Sequence, residues 1–139
     1  MEDLSQCKVL VVDDSEFNID VLKRAFEGTY IITASLSGEE ALEMVAANPP
    51  DLILLDVMMP EMDGYETCTN LKTNPIAKDI PIVFLTALDE VQNRQKGFEL
   101  GAVDYITKPF DILELQTKVK THLTLMALQK EIIKLRAGS

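Results

Sequence analysis

Short apolar runs rich in β-branched residues alternate along this chain with segments whose apolar residues recur every three to four positions. Lys8-Val9-Leu10-Val11-Val12 is too apolar for a strand with one wet face and suits one covered on both. After Asp13-Asp14-Ser15, the residues Phe17, Val21, Leu22, Ala25 and Phe26 follow at helical spacing until Gly28 stops them. Residues 30–34 read as a second strand. Ser37-Gly38-Glu39-Glu40 then has the form of a capping box, opening a helix with Ala41, Leu42 and Val45 on its apolar stripe. Residues 52–55 are the most apolar run, which predicts a central third strand ending at Asp56. Asp63-Gly64 opens a third helix that Asn74-Pro75 closes. Residues 80–85 predict a fourth strand, with Pro81 near its start where a missing N–H does least harm. A fourth helix over 89–100, a fifth strand over 103–106 and a last helix over 111–136 follow. Five strands alternating with helices at short spacing imply a parallel sheet covered on both faces, a doubly wound α/β fold.

The length of 139 residues suits one core. Lys and Arg number 13 against 23 Asp and Glu, leaving a net charge of −10, which argues against direct nucleic-acid binding because phosphate contacts need clustered cations. No run approaches a membrane span, and the acidic Met1-Glu2-Asp3-Leu4 start lacks the basic and apolar regions of a signal peptide. Cys7 and Cys68 are too few for a disulfide framework or a four-ligand zinc site and read as reduced thiols of a cytoplasmic protein.

In an open parallel sheet, ligands collect at the carboxyl ends of the strands. The first predicted strand ends in Asp13 and Asp14, the third in Asp56, the fourth in Thr86, and the fifth leads to Lys108-Pro109. Three carboxylates at close range raise one another's pKa unless a cation sits among them. An all-oxygen cluster without His or Cys suits a hard divalent ion such as Mg²⁺.

With its Val11-Val12-Asp13-Asp14, Leu55-Asp56-Val57-Met58-Met59-Pro60-Glu61-Met62-Asp63-Gly64, Phe84-Leu85-Thr86-Ala87 and Tyr105-Ile106-Thr107-Lys108-Pro109-Phe110 blocks, the chain resembles the receiver domain of two-component response regulators over residues 7–124. The resemblance implies a flavodoxin-like sheet of strand order 2-1-3-4-5. It implies Asp56 as phosphoacceptor from a phosphohistidine on a sensor histidine kinase or phosphotransfer protein. By the same resemblance, Asp14, Asp56 and the Met58 backbone carbonyl ligate Mg²⁺ directly, and Asp13 acts through a metal-bound water. Lys108, aimed by a cis peptide bond to Pro109, and Thr86 contact the phosphoryl group. Thr86 moves towards it, Tyr105 rotates inwards into the vacated space, and the altered face is helix four, strand five and helix five. Met58 and Leu88, two residues beyond Asp56 and Thr86, bind the attacking water poorly, which predicts slow self-dephosphorylation.

A receiver domain over 1–124 leaves a helical extension over 125–139. There Leu125, Leu128, Ile132 and Leu135 follow 3-4-3 spacing on a stripe distinct from Ile112, Leu115, Val119 and Leu123, which are expected to face the sheet. The extension reads as a coiled-coil stalk joining a homodimer, as a linker, or as a tail folded back on the domain. His122, the only histidine, reads as structural, and Lys118, Lys120, Lys130 and Lys134 as a solvated face. The expected activity is limited to the chain's own aspartyl phosphorylation and dephosphorylation. The enzyme alternative is a Mg²⁺-dependent aspartyl-phosphate phosphatase of the haloacid dehalogenase type, which needs an Asp where this chain has Met58. A flavin carrier is disfavoured because Asp13-Asp14-Ser15-Glu16 would repel the cofactor's phosphate.

Overall fold

The computed structural model describes residues 4–87 and 94–138. A short 3-10 helix, Leu4–Gln6, leads into β1 (Lys8–Val12), α1 (Glu16–Ala25), β2 (Ile31–Ser35), α2 (Gly38–Ala47), β3 (Leu52–Asp56), α3 (Gly64–Lys72), β4 (Ile82–Ala87), α4 (Arg94–Glu99), β5 (Asp104–Lys108) and α5 (Ile112–Ala137). All strand pairs are parallel, in the order β2-β1-β3-β4-β5. Every residue of β3 is buried, as its unbroken apolar run requires of the central strand, whereas β2 alternates in exposure along the edge.

Strand alternation divides the core between two faces. Leu10, Val12, Ile53, Leu55 and Phe84 pack with Ala41 and Val45 of α2 and Cys68 and Leu71 of α3. Val9, Val11, Leu52, Leu54, Val83 and Leu85 pack on the other side with Ile19, Leu22 and Phe26 of α1 and Leu115, Val119 and Leu123 of α5. The apolar stripe of α1 is therefore Ile19, Leu22 and Phe26, and Phe17 is 75% exposed. Ile112 likewise does not face the sheet but lies 42% exposed in the first turn of α5.

Ser15, Ser37, Asp63 and Asp111 each accept an amide hydrogen bond from the third residue into their helices. The capping box at Ser37 closes on one side only, because the Ser37 N–H donates to Ser35 Oγ instead of to Glu40. Both boundaries of β4 lie two residues further along the chain than its apolar run suggests. β4 starts at Ile82 because Pro81 contributes only its carbonyl, accepting from the Ile53 N–H. It continues to Ala87 because Thr86 and Ala87 pair with Thr107 and Lys108 of β5. The Lys108–Pro109 peptide bond is cis.

The last buried residue of α5 is Leu123. Beyond it the helix overhangs the amino-terminal edge of the sheet, touching it where Lys130 Nζ lies 3.7 Å from Asp51. Between this overhang, Leu4 and the Gly28–Tyr30 turn an open groove of about 870 Å³ remains.

Candidate metal and phosphoacceptor site

Parallel pairing fixes which strand ends become neighbours. β1 and β4 flank β3, so Asp13, one residue past β1, and Thr86 come to either side of Asp56. Pairing of Ala87 with Lys108 brings the lysine to the same edge. Lys108 Nζ lies 3.0 Å from Asp56 Oδ1 and 3.2 Å from Asp13 Oδ2. One carboxylate oxygen from each of Asp13, Asp14 and Asp56 lies within 4.8 Å of the other two.

The three aspartates are not equivalent. Asp13 is fully buried and held on both oxygens: Oδ1 accepts the Ser15 N–H, and Oδ2 accepts Asn18 Nδ2 and Lys108. Asp56 is almost fully buried and accepts the Met58 N–H on Oδ1 as well as Lys108. Asp14 is exposed at the mouth of the cleft. Gly64 lies against the Asp56 carbonyl so closely that any Cβ would collide with it, and its N–H donates to Val57 O. The start of α3 thus clamps the backbone that carries Asp56.

One ammonium does not neutralise this cluster. Burial, and then the charge of Asp13, push the Asp56 carboxyl up to about 7, and the lysine and the Met58 N–H only partly oppose them. Burial works against the Lys108 ammonium, yet Asp56 and Asp13 outweigh it and hold the amine above its ordinary value. An all-oxygen donor set short of positive charge fits a hard divalent cation, which takes carboxylate, carbonyl and water oxygens together.

Thr86 is buried beside the site, and its Oγ1 donates to Ala87 O at 3.3 Å. Tyr105 is 2% exposed, with its ring seated inward in this structure. The phenol donates to Arg94 O at 2.6 Å, and Phe84 and Phe98 flank the ring with centroids at 5.6 and 5.1 Å. Space for the phenol comes from Gly97, whose missing Cβ would overlap the Tyr105 oxygen. Burial, and after it Tyr65, push the Tyr105 phenol up to about 12, so it stays protonated as a donor.

Sequence reading had not singled out Asn18, Arg94 or Gly97. Only Gly97 carried a signal, a glycine within a helical run, which usually marks close packing. Met58 is 62% exposed near Asp56, and Leu88 lies outside the described residues.

Comparison with known proteins is decisive here: the response regulator receiver domain family matches residues 9–120. The chain belongs to this family. This receiver domain is 50% identical over 123 residues to the Vibrio cholerae protein named "Probable cyclic di-GMP phosphodiesterase", covering 88% of this chain and 28% of that protein. It is 47% identical over 118 residues to the Bacillus subtilis alkaline phosphatase synthesis transcriptional regulatory protein PhoP, covering 84% and 48%. The Francisella response regulator 1452 receiver domain superposes with a TM-score of 0.78 at 36% identity, covering 86% of this chain and 98% of that one. The chain thus spans about a quarter to a half of the curated relatives it matches. A receiver domain is a phosphorylation-controlled switch, and the haloacid dehalogenase alternative finds no support: the family is a different one, and the position two beyond Asp56 carries a thioether. No helix among the described residues is long and apolar enough to cross a membrane.

Proposed function

We propose that Asp56 is the phosphoacceptor of this receiver domain and that a sensor histidine kinase or phosphotransfer protein is the donor. An Asp56 carboxylate oxygen forms a bond to phosphorus while the phosphorus–nitrogen bond of the donor phosphohistidine breaks, the imidazole nitrogen leaving with the bonding pair. Mg²⁺ would be held by Asp14, Asp56 and the Met58 backbone carbonyl, with Asp13, already committed on both oxygens, acting through a metal-bound water. When bound, the ion supplies positive charge to the phosphoryl oxygens, the main need of a transfer that relies on positioning and charge neutralisation. Lys108 would supply the rest from its place beside Asp56 and Asp13. The observation that carries this reading is the Lys108 ammonium lying 3.0 Å from the buried Asp56 carboxylate and 3.2 Å from that of Asp13.

A phosphoryl group adds about −1.5 to −2 charges if it behaves like hydroxyl phosphates. Turning the Thr86 hydroxyl from Ala87 O towards a phosphoryl oxygen would change how β4 meets α4. Tyr105, starting from its inward seat, would carry that change to the α4-β5-α5 face through Arg94 and Gly97. Moving such an element from 1:99 to 99:1 takes about 5.5 kcal/mol of preference for the active state. The chain itself, a cytoplasmic module in this reading, catalyses only its own phosphorylation and dephosphorylation. The activities named for its longer relatives are not assigned to it.

Incubation with Mg²⁺ and a small phosphoramidate donor, followed by intact mass, tests the assignment. The expected result is one added phosphoryl group, stable in acid and lost in alkali, and none on Asp56→Asn. Equal labelling of Asp56→Asn would overturn it.

A further inference from the structure

Among the described residues, five of the large apolar side chains that stand exposed crowd into the last stretch of α5: Leu125, Leu128, Ile132, Ile133 and Leu135. Scattered singly such residues need no account, but a contiguous set marks a contact surface. Four of them form one stripe. At about 100° per residue, Leu115, Val119 and Leu123 define the side of α5 that meets the domain. On the same wheel Leu125, Leu128, Ile132 and Leu135 centre roughly 200° away, nearly opposite. The helix does not bury this stripe against its own domain: Leu128, at the edge of the stripe, lines the groove of about 870 Å³ beneath the overhang with Leu4 and Tyr30, and that groove stays open. Upstream, the same stripe is polar, carrying Glu114, Thr117, Lys118 and Thr121, with Lys118 committed to Asp104 and Glu114. The stripe turns apolar just after the last core residue, Leu123.

We propose that the end of α5 pairs with α5 of a second copy of this chain as a parallel, in-register, two-stranded coiled coil along Leu125, Leu128, Ile132 and Leu135. With Leu125 and Ile132 at heptad position a and Leu128 and Leu135 at d, the β-branched Ile132 at a with leucine at both d positions favours two parallel strands. Charge complementarity selects a second copy in this orientation. Glu131 falls at g and Arg136 at the following e, the two positions that meet across a parallel pair, so each dimer forms the bridge twice. Both side chains are exposed. Two heptads make a marginal coil, so the pairing depends on protein concentration. The inference is independent of phosphorylation at Asp56 and stands or falls separately from it.

Disulfide trapping under mild oxidation tests it, in the full chain with Cys7→Ser; Cys68 is fully buried. Leu128→Cys is expected to cross-link to itself at least several-fold faster than Ile133→Cys, a more exposed position off the stripe. Equal rates would overturn the proposal. So would faster cross-linking of a Leu125→Cys and Leu135→Cys mixture than of Leu128→Cys alone, because that pattern marks an antiparallel pair. In the Leu128→Cys chain, Glu131→Arg or Arg136→Glu alone is expected to slow trapping. Mixing the two is expected to give mostly the mixed dimer, whereas a statistical 1:2:1 mixture would overturn the register.

Discussion

Replacing Gly97 with alanine gives opposite signs for the two seats Tyr105 can occupy. In α4 the exchange by itself favours the helix by about 0.8–1 kcal/mol, since glycine is the poorest helix former after proline. With the ring outward, only the edge of Phe84 would still oppose that gain. With the ring inward, the new methyl falls on the phenol oxygen, with Tyr105 Cζ and Phe84 Cδ2 next at 2.8 and 2.9 Å. Overpacking of this kind costs about 1–3 kcal/mol. Expelling the ring would also forfeit the hydrogen bond to Arg94 O, worth about 1 kcal/mol net. The expected balance is a loss of about 1–2 kcal/mol, read as a lower urea midpoint at unchanged slope. The chain has no tryptophan and three tyrosines, so a change in the Tyr105 ring environment appears in the intrinsic tyrosine emission. In a Tyr105→Phe background the nearest obstacle is gone, and the penalty of Gly97→Ala should shrink by about 1 kcal/mol in a double-mutant cycle. A Gly97→Ala protein more stable than the parent would refute the inward seat.

Three further outcomes are expected. Mg²⁺ at 100 times its Kd should raise the unfolding free energy by about 2.7 kcal/mol, and urea titrations of Asp14→Asn should show most of that increment lost. Met58→Asn places a carboxamide where an exposed thioether stands two residues after Asp56, so the phosphorylated protein should decay faster by intact mass; a longer lifetime would contradict the role given to this position. Asp104 is opposed by partial burial, but hydrogen bonds from His122 and the Tyr105 N–H, with Lys118 close by, hold its carboxyl below its ordinary value of 3.8. A depressed folded-state pKa means stability that is present above 3.8 and lost as pH falls through the lower folded value, so Asp104→Asn should flatten stability against pH in that acid range only.

Much of the fold could be read from period and punctuation. The unbroken apolar run of residues 52–55 required a strand covered on both faces, and β3 is the fully buried centre of the sheet. The strand-end carboxylates, the hydroxyl at 86 and the lysine at 108 were legible because each ends or follows a recognisable run. Errors fell where periodicity is ambiguous. Phe17 and Ile112 keep step with their helices, yet they sit in first turns and stay 75% and 42% exposed.

The order of apolar and polar residues by itself decided the alternation of strands and helices, the caps and the residue types at the strand ends, since these depend on neighbours a few positions apart. Tertiary structure alone decided that Lys108 reaches Asp56 across 52 positions, that Asn18 braces Asp13, and that Tyr105 lies inward on Gly97. Those arrangements arise from strand register and from the space left between packed helices, which couple residues far apart in the chain and leave no periodic trace in it.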